Sequence, residues 1–582
     1  MLVKKILYFL DSKDKKSLIV LLLLAIVIGF IELLGVASIV PFIGLLNEPD
    51  YLVNNKYFIL VNSYFSIDNE SLVYVAGIFM VSMFILMNFL NAYNLWKTTY
   101  YGSVLSHKIT LATSKNYFSQ PYEFFVNTDI PTISKNILEE AGSLAESIFI
   151  PIMQIISRLI VLTFISILLI TINVEVFIFS LALFGIIYLV LFRTIKNKVR
   201  RYGIKRLEAN SSRFKNINDC LGSIKDVKFY NAERYYLENF SKSQKDFLDL
   251  TVKAIILSSL PKYIIEIISF GGFFSVILYL KYIGADLSIH LPIISLFILA
   301  AYRLLPSLNQ IYVLSSTLRF HIPALDIIYQ SLIKSENSDF SPDIKEMKSL
   351  IKFNDVNFSY NNDKPVLKDI NFEINASTIS AIVGETGVGK TTLLDLLLGF
   401  YAPTSGNVSI NVDLINKNTN RLKIGYVSQK ISFVDDSILK NIAFGASEDS
   451  INTYHADKII NTVMLKDLIN KLPKKIHEKI GEDGVKLSGG QLQRIGIARA
   501  LYLNPKILIL DEATNALDVN TEKLLFDSIR KEYNDITIIW ITHRSSSLSL
   551  CDNIYRLSND GFSLLDDYKN SSVNELTKGD IK

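Results

Sequence analysis

The sequence predicts an α-helical membrane domain with six transmembrane helices, followed by a soluble α/β domain built on a phosphate-binding loop. Three observations predict it. Half of the 582 residues are hydrophobic, only 20% are charged and the mean hydropathy is positive, a balance suited to a membrane protein. Apolar runs of membrane-crossing length lie in the first part of the chain, and beyond residue 349 they shorten to strand-sized pieces that alternate with helix-like ones. Residues Gly384–Thr392 read G-E-T-G-V-G-K-T-T, between an apolar run at Ile379–Val383 and an apolar helix start at Leu393–Leu398.

A chain of this length exceeds one hydrophobic core. The expected division is a membrane domain with cytoplasmic helix extensions over 1–334, a linker over 335–348, the α/β domain over 349–570 and a tail over 571–582. The linker assignment rests on the polar, turn-rich Ser335–Asp343. The net charge of +4 is small for this length and gives no argument for a nucleic-acid partner. Cys220 and Cys551 lack ligand-like spacing and are expected as free thiols.

The first membrane run is Leu18–Leu46, after a segment carrying Lys4, Lys5, Lys13, Lys15 and Lys16. It is too long for a signal-peptide core. Leu72–Trp96, Ile148–Ile172, Val174–Phe192, Ile264–Leu280 and Leu291–Leu305 follow, the last two interrupted or short and open to reading as buried core helices. Basic residues gather after the second run (Lys97, Lys108, Lys115, Lys135) and after the fourth (Arg193, Lys196, Lys198, Arg200, Arg201, Lys205, Arg206). The opposite connections hold only Lys56 and Lys281. The positive-inside rule then puts both termini and the α/β domain in the cytoplasm. Segments 97–147 and 193–263 keep apolar residues at helical spacing, so the helices are expected to run on past the bilayer. Tyr51–Phe65 reads equally as a short surface-lying helix or an ordered loop.

In the second domain, strand, glycine-rich turn, Lys-Thr and helix form the P-loop pattern. Gly384, Gly387 and Gly389 let the amides of Glu385, Thr386 and Val388 turn toward phosphate oxygens. Lys390 places a cation at the β- and γ-phosphates, the Thr391 hydroxyl can ligate Mg²⁺, and Thr392 continues the helix start. Ile507–Leu510 is a run of four aliphatics, as a strand buried on both faces should be, and it ends in Asp511-Glu512. Asp511 can hold Mg²⁺ through water and Glu512 can polarise the attacking water.

Leu487-Ser488-Gly489-Gly490-Gln491 adds an anion site at a helix start. With it, residues 349–560 resemble the ATP-binding-cassette (ABC) family, in which L-S-G-G-Q binds the γ-phosphate of ATP held by a second cassette. The resemblance implies further roles. Tyr360 in F-S-Y would stack on adenine, and Gln429 in Y-V-S-Q would sense Mg²⁺. Asp518 in N-A-L-D would be the D-loop aspartate, and His543 in T-H-R the switch histidine near the γ-phosphate. Asn515 stands where serine is usual, a change expected to matter little. Gly481-Glu482-Asp483-Gly484 resembles a short exporter motif that touches the membrane domain. Six helices before one cassette resemble the exporter-type ABC fold, which implies a homodimer with two identical ATP sites. It also implies cytoplasmic turns that dock on cassettes, for which Gln120–Phe125 and Lys228–Glu233 are candidates; packing within the helix stalk is the alternative.

Charges within or at the edges of the membrane runs are Glu32, Arg158, Lys262, Glu266 and Arg303. Structural ion pairing, or a place nearer the membrane interface, is the favoured reading of Glu32 and Glu266. Lys262 and Arg303 are candidates to line a path for an anionic substrate. The stretches 30–43, 89–93, 300–311 and 325–330 resemble bacterial flippases of lipid-linked oligosaccharides. That resemblance implies a polyprenyl-pyrophosphate glycan as cargo, membrane lipid as a partner and the bacterial cytoplasmic membrane as location. Asn88 and Lys262 stand where it would place arginine. Export of a peptide, a drug or another glycolipid remains an alternative, as does a non-transporting channel or receptor, against which intact Glu512, His543 and L-S-G-G-Q argue.

Overall fold

The computed structural model describes residues 2–38, 42, 69–172, 174–282, 287–333, 343–345, 349–360, 365–411, 414–416, 421–481, 484, 486–542, 544–558 and 561–565. The chain divides into two units, Met1–Gln120 with Phe124–Asn337, and Pro121–Glu123 with Ser338–Lys582.

Among the described residues, the first unit has six long helical segments, and the described part of each of the six apolar runs falls on one of them. They are Ser12–Ala37, Asn69–Phe118, a run from Ile130 to Ile172, Val174–Gly222, Glu233–Tyr282 and Leu287–Ile333. The third is unbroken but passes through two π-helical stretches, Asn136–Ala141 and Ala145–Phe149. Among the described residues four stretches are long and apolar enough to cross a bilayer: Ser12–Gly35, Val73–Phe118, Ile130–Thr171 and Leu304–Ile333. Helices continue through 97–118 and 193–222, as the spacing of apolar residues predicts. Tyr51–Phe65 and the end of Leu18–Leu46 lie outside the described residues.

The first long helix shows what these faces are for. Leu21, Ala25, Ile28 and Glu32, spaced three or four apart, are buried against neighbours. Ile19, Val20, Leu23, Ile26, Val27 and Phe30 are exposed on the other side. Such an apolar outer face suits lipid, not water. On the inner face Glu32 accepts a hydrogen bond from Asn91 Nδ2 at 3.1 Å and lies 3.9 Å from Arg158. Glu32 is therefore a structural link among three helices. Lys262 and Glu266 share a helix face at 3.9 Å, as their spacing predicts. Arg303 lies in the Leu287–Ile333 helix, and its side chain is outside what the structure describes.

The extended helices have a second core, with Leu105, Ile109, Leu144, Ile148, Leu325 and Ile328 at its centre. Inside this unit Glu140, which has no exposed surface, accepts from Arg206 Nη2 at 2.5 Å and from Asn210 Nδ2 at 3.0 Å. Both carboxylate oxygens are thus satisfied, and the Arg206 guanidinium lies 5.6 Å from the Phe320 ring centre. Removing one partner strands the other charge in the interior. Arg206→Ala is expected to cost about 3–5 kcal/mol, read as a lower thermal unfolding midpoint of the purified protein.

The second unit is α/β. Its main sheet has six strands in the order Gly561–Leu564, Asn553–Ser558, Ile379–Val383, Thr537–Ile541, Ile507–Asp511 and Ile424–Val427. All neighbours are parallel except the first pair. Every residue of Ile379–Val383, Ile507–Asp511 and Thr537–Ile541 is buried, which is why these strands read as mainly apolar runs, with Ser380, Asp511 and Thr537 the polar exceptions. Trp540 stacks on Phe526 of the Val519–Glu532 helix at 4.3 Å between ring centres.

A second sheet has the order Asp343–Lys345, Ser405–Asn411, Ile351–Phe358 and Leu367–Ile374. Asp343–Lys345 falls in the stretch expected as linker, yet it pairs parallel with Ser409–Asn411. Three residues are too short to show a period, and only the partner strand reveals them. Pro121–Glu123 belong to this second unit, in which the Tyr122 ring lies 4.8 Å from Phe400 and 6.2 Å from Tyr401. At the other candidate turn, Ile224–Phe229 is a short helix that leaves Phe229 and Tyr230 exposed.

Candidate nucleotide-binding and catalytic site

Parallel strands deliver their C-terminal ends to one edge of the sheet, and the site is assembled there. Ile379–Val383 leads to the P-loop, Ile507–Asp511 to Asp511 and Glu512, and Ile424–Val427 to Gln429. Thr537–Ile541 leads to His543, which lies outside the described residues, as do Glu482 and Asp483.

The P-loop closes on itself. Lys390 Nζ donates to the carbonyls of Gly384 and Glu385, each at 2.8 Å, so the ammonium is held against the loop's own backbone. Gly387 and Gly389 have φ of 86° and 107°, and a Cβ at Gly384 would come within 2.4 Å of the Leu557 carbonyl. Glu385, Thr386 and Val388 line the turn between these glycines, and Lys390 begins the Lys390–Leu397 helix. Burial holds the Lys390 ammonium below its usual range, against the pull of Glu512 and Asp511. Thr391 is exposed, whereas the Thr392 hydroxyl is buried and lies 2.9 Å from Tyr360 Oη. That contact fixes Tyr360, whose ring is about half exposed beside Phe358 and Tyr401. It presents an aromatic face at the edge of the P-loop.

Asp511 is buried at its strand end, and burial first, then Glu512, push its carboxyl up to about 6. Lys390 and a hydrogen bond from Tyr426 act in the opposite direction. Asp395 is pushed up to about 6 as well, by burial and by Asp511. A cation between these groups would relieve that repulsion. The Thr391 hydroxyl, Asp511 and the Gln429 amide oxygen are hard ligands of the kind Mg²⁺ takes alongside phosphate and water. The donor set therefore fits Mg²⁺.

Glu512 turns sharply out of its strand with φ of 51° while its N–H donates to the Ile541 carbonyl at 3.1 Å. Its Oε2 accepts from Gln429 Nε2 at 2.9 Å and from Asn515 Nδ2 at 3.1 Å. Gln429 and Glu512, far apart in sequence, are thus brought into contact. Ser488 caps the Gly489–Tyr502 helix in a reciprocal box with Gln491, and Ser488 and Gly489 are exposed at its start beside Gly490. Asp518 caps the Val519–Glu532 helix, and hydrogen bonds from the Thr521 hydroxyl and N–H hold its carboxyl below the usual range.

Three residues that shape this site have no role assigned from sequence, although Tyr426 and Arg544 stand inside Y-V-S-Q and T-H-R. Arg544 donates to the carbonyls of Leu517 at 2.7 Å and Asn515 at 2.5 Å. Gln493 Oε1 accepts from Ala516 N–H at 2.9 Å, and Tyr426 bonds Asp511. Gln493 stands two residues past L-S-G-G-Q, Arg544 directly follows His543 and Tyr426 stands three residues before Gln429, and nothing in that spacing gives them a role.

Such a P-loop, acidic strand end and L-S-G-G-Q helix on one sheet define a cassette ATPase joined to a helical membrane domain. The family description "ABC transporter" matches residues 367–515, and "ABC transporter transmembrane region" matches residues 18–302. The chain belongs to the ABC transporter family. Its fold is of exporter type: a bacterial Atm1-family ABC exporter with ATP bound is similar at TM-score 0.77 over 95% of each chain, with 22% identity. A putative export ATP-binding/permease protein of Rickettsia bellii is 33% identical over 61% of this chain and 63% of its own length. An ATP-dependent lipid A-core flippase of Saccharophagus degradans is 32% identical over 59% of this chain and 58% of its own. The match thus spans less than two thirds of either relative's length.

Proposed function

We propose that the chain is an ATP-driven exporter of a bacterial cytoplasmic membrane, working as a homodimer, and that its cargo is a lipid-linked oligosaccharide. The observation that carries the ATPase reading is the convergence of Lys390, Asp511, Glu512 and Gln429 at one sheet edge. In this reading the P-loop amides and Lys390 bind the ATP phosphates, and Tyr360 stacks on the base. Thr391, Asp511 and Gln429 hold Mg²⁺, which when bound neutralises charge on the β- and γ-phosphates. Glu512 takes the proton of the attacking water, and His543 contacts the γ-phosphate. Ser488, Gly489, Gly490 and Gln491 complete the site of the opposite subunit, beside Asp518.

The cargo reading is supported by the resemblance of residues 30–43 and 300–311 to oligosaccharide flippases. It is also supported by the cations Lys262 and Arg303 on membrane helices, which suit a pyrophosphate that hydrocarbon rejects. The 32% identity to a lipid A-core flippase favours a second reading within the same class, another anionic glycolipid. The test is a proteoliposome assay with a labelled polyprenyl-pyrophosphate glycan. The wild type is expected to move it only with ATP, and Arg303→Ala to impair movement more than ATPase activity. Robust ATPase activity without movement of this glycan, but with movement of lipid A-core, would select the second reading. Full transport by Lys262→Ala, Arg303→Ala protein would reject the cation-lined path.

A further inference from the structure

Asn515 occupies a position where the family resemblance leads one to expect serine, and the residue actually present does something serine cannot. Its Nδ2 reaches Glu512 Oε2 at 3.1 Å, the same oxygen that Gln429 Nε2 meets at 2.9 Å. Serine carries its hydroxyl where asparagine carries Cγ, one bond short of that contact. The backbone around Asn515 is fixed on several sides. Its N–H donates to the Glu512 carbonyl at 3.2 Å, and its own carbonyl accepts from Arg544 Nη2 at 2.5 Å. The next N–H, of Ala516, donates to Gln493 Oε1 on the Gly489–Tyr502 helix at 2.9 Å. Arg544 further holds the Leu517 carbonyl at 2.7 Å. Asn515 therefore sits on a clamped turn, and its amide arrives at the carboxylate already oriented.

We propose that Asn515 is a positioning residue for hydrolysis, whose amide holds the Glu512 carboxylate in place and ties it to the L-S-G-G-Q helix through the Gln493–Ala516 contact. The inference rests on Glu512 being the group that takes the proton from water. Two amides from separate elements, Gln429 Nε2 and Asn515 Nδ2, meet at Oε2, so the carboxylate is held from two sides and loses one of them when Asn515 is truncated. Because Gln493 lies on the helix that serves the opposite nucleotide, the same contact transmits that helix's position to this subunit's carboxylate.

The experiment uses the full chain in proteoliposomes and measures steady-state ATPase kinetics. Asn515→Ala and Asn515→Ser are both expected to lower kcat about tenfold, the scale of one hydrogen bond to a charged group. KM for ATP is expected to stay within about twofold, because Asn515 does not touch the P-loop contacts that bind the phosphates. Asn515 is exposed, so both variants should fold. The discriminating measurement is single-turnover hydrolysis in a Glu512→Gln background. There, adding Asn515→Ala should cost nothing further, since the partner it positions is already disabled. A kcat within twofold of wild type for both single variants overturns the proposal. So does a full tenfold additional loss in the Glu512→Gln background, which would make Asn515 a support of the turn alone. Wild-type turnover by Glu512→Gln itself is a separate result, which removes the hydrolysis reading beneath it.

Discussion

Glu512→Gln is expected to retain ATP binding and to lose turnover by about two orders of magnitude or more. The structure gives the reason the change should be clean. Glutamine matches glutamate in size, and the two amides that meet Oε2, from Gln429 and Asn515, can donate to a glutamine carbonyl in the same place. The φ of 51° and the bond to the Ile541 carbonyl belong to the backbone and are untouched. What disappears is the capacity to accept a proton from water. Lys390 and the P-loop amides that bind the nucleotide are unaltered, so the protein should accumulate with ATP bound and its cassettes paired. Equilibrium nucleotide binding, phosphate release and crosslinking of the cassettes measure the three parts. A Glu512→Gln protein that releases phosphate at the wild-type rate would take the base assignment away from Glu512.

The features legible in the sequence share one property: they are set by local spacing or by burial on both faces. Ile379–Val383, Ile507–Leu510 and Thr537–Ile541 were readable because a parallel strand covered on both sides is built almost wholly of apolar residues. The P-loop was readable because its glycines and Lys390 stand at fixed intervals. Lys262–Glu266 was readable as an i,i+4 pair. The Glu32–Asn91–Arg158 link was not, because it joins three helices whose relative rotation no spacing encodes. Asn515 is the instructive case. As a substitution it reads as minor, since asparagine and serine are both small and polar. Its reach to Glu512 depends on a turn clamped by Arg544 and Gln493, residues on separate elements. Tertiary clamping gave a one-bond difference its consequence.

Mixing two inactive variants is expected to restore activity. Ser488 and Gly489 lie exposed at the start of a fourteen-residue helix whose first amides and macrodipole favour an anion. The Ser488 hydroxyl accepts from Gln491 N–H within its own chain, so the helix start is pre-formed before a partner arrives. In a homodimer with shared sites, Ser488 of one chain completes the site built on Lys390 of the other. Ser488→Arg dimers then carry two blocked helix starts, and Lys390→Ala dimers carry two P-loops without their cation. Both preparations should be nearly inactive. Co-expressed in equal amounts, half the dimers are mixed, with both lesions in one site and neither in the other. If the sites turn over independently, ATPase activity should return to about a quarter of wild type. An obligatory coupling of the two sites would hold the mixture at the level of its parents. Crosslinking separates that outcome from a wrong assembly: with Cys220 and Cys551 replaced by serine, cysteines at Ser488 and Thr386 should join two chains when ATP is bound. Neither restored activity nor an interchain crosslink would mean that the L-S-G-G-Q helix does not serve the opposite site.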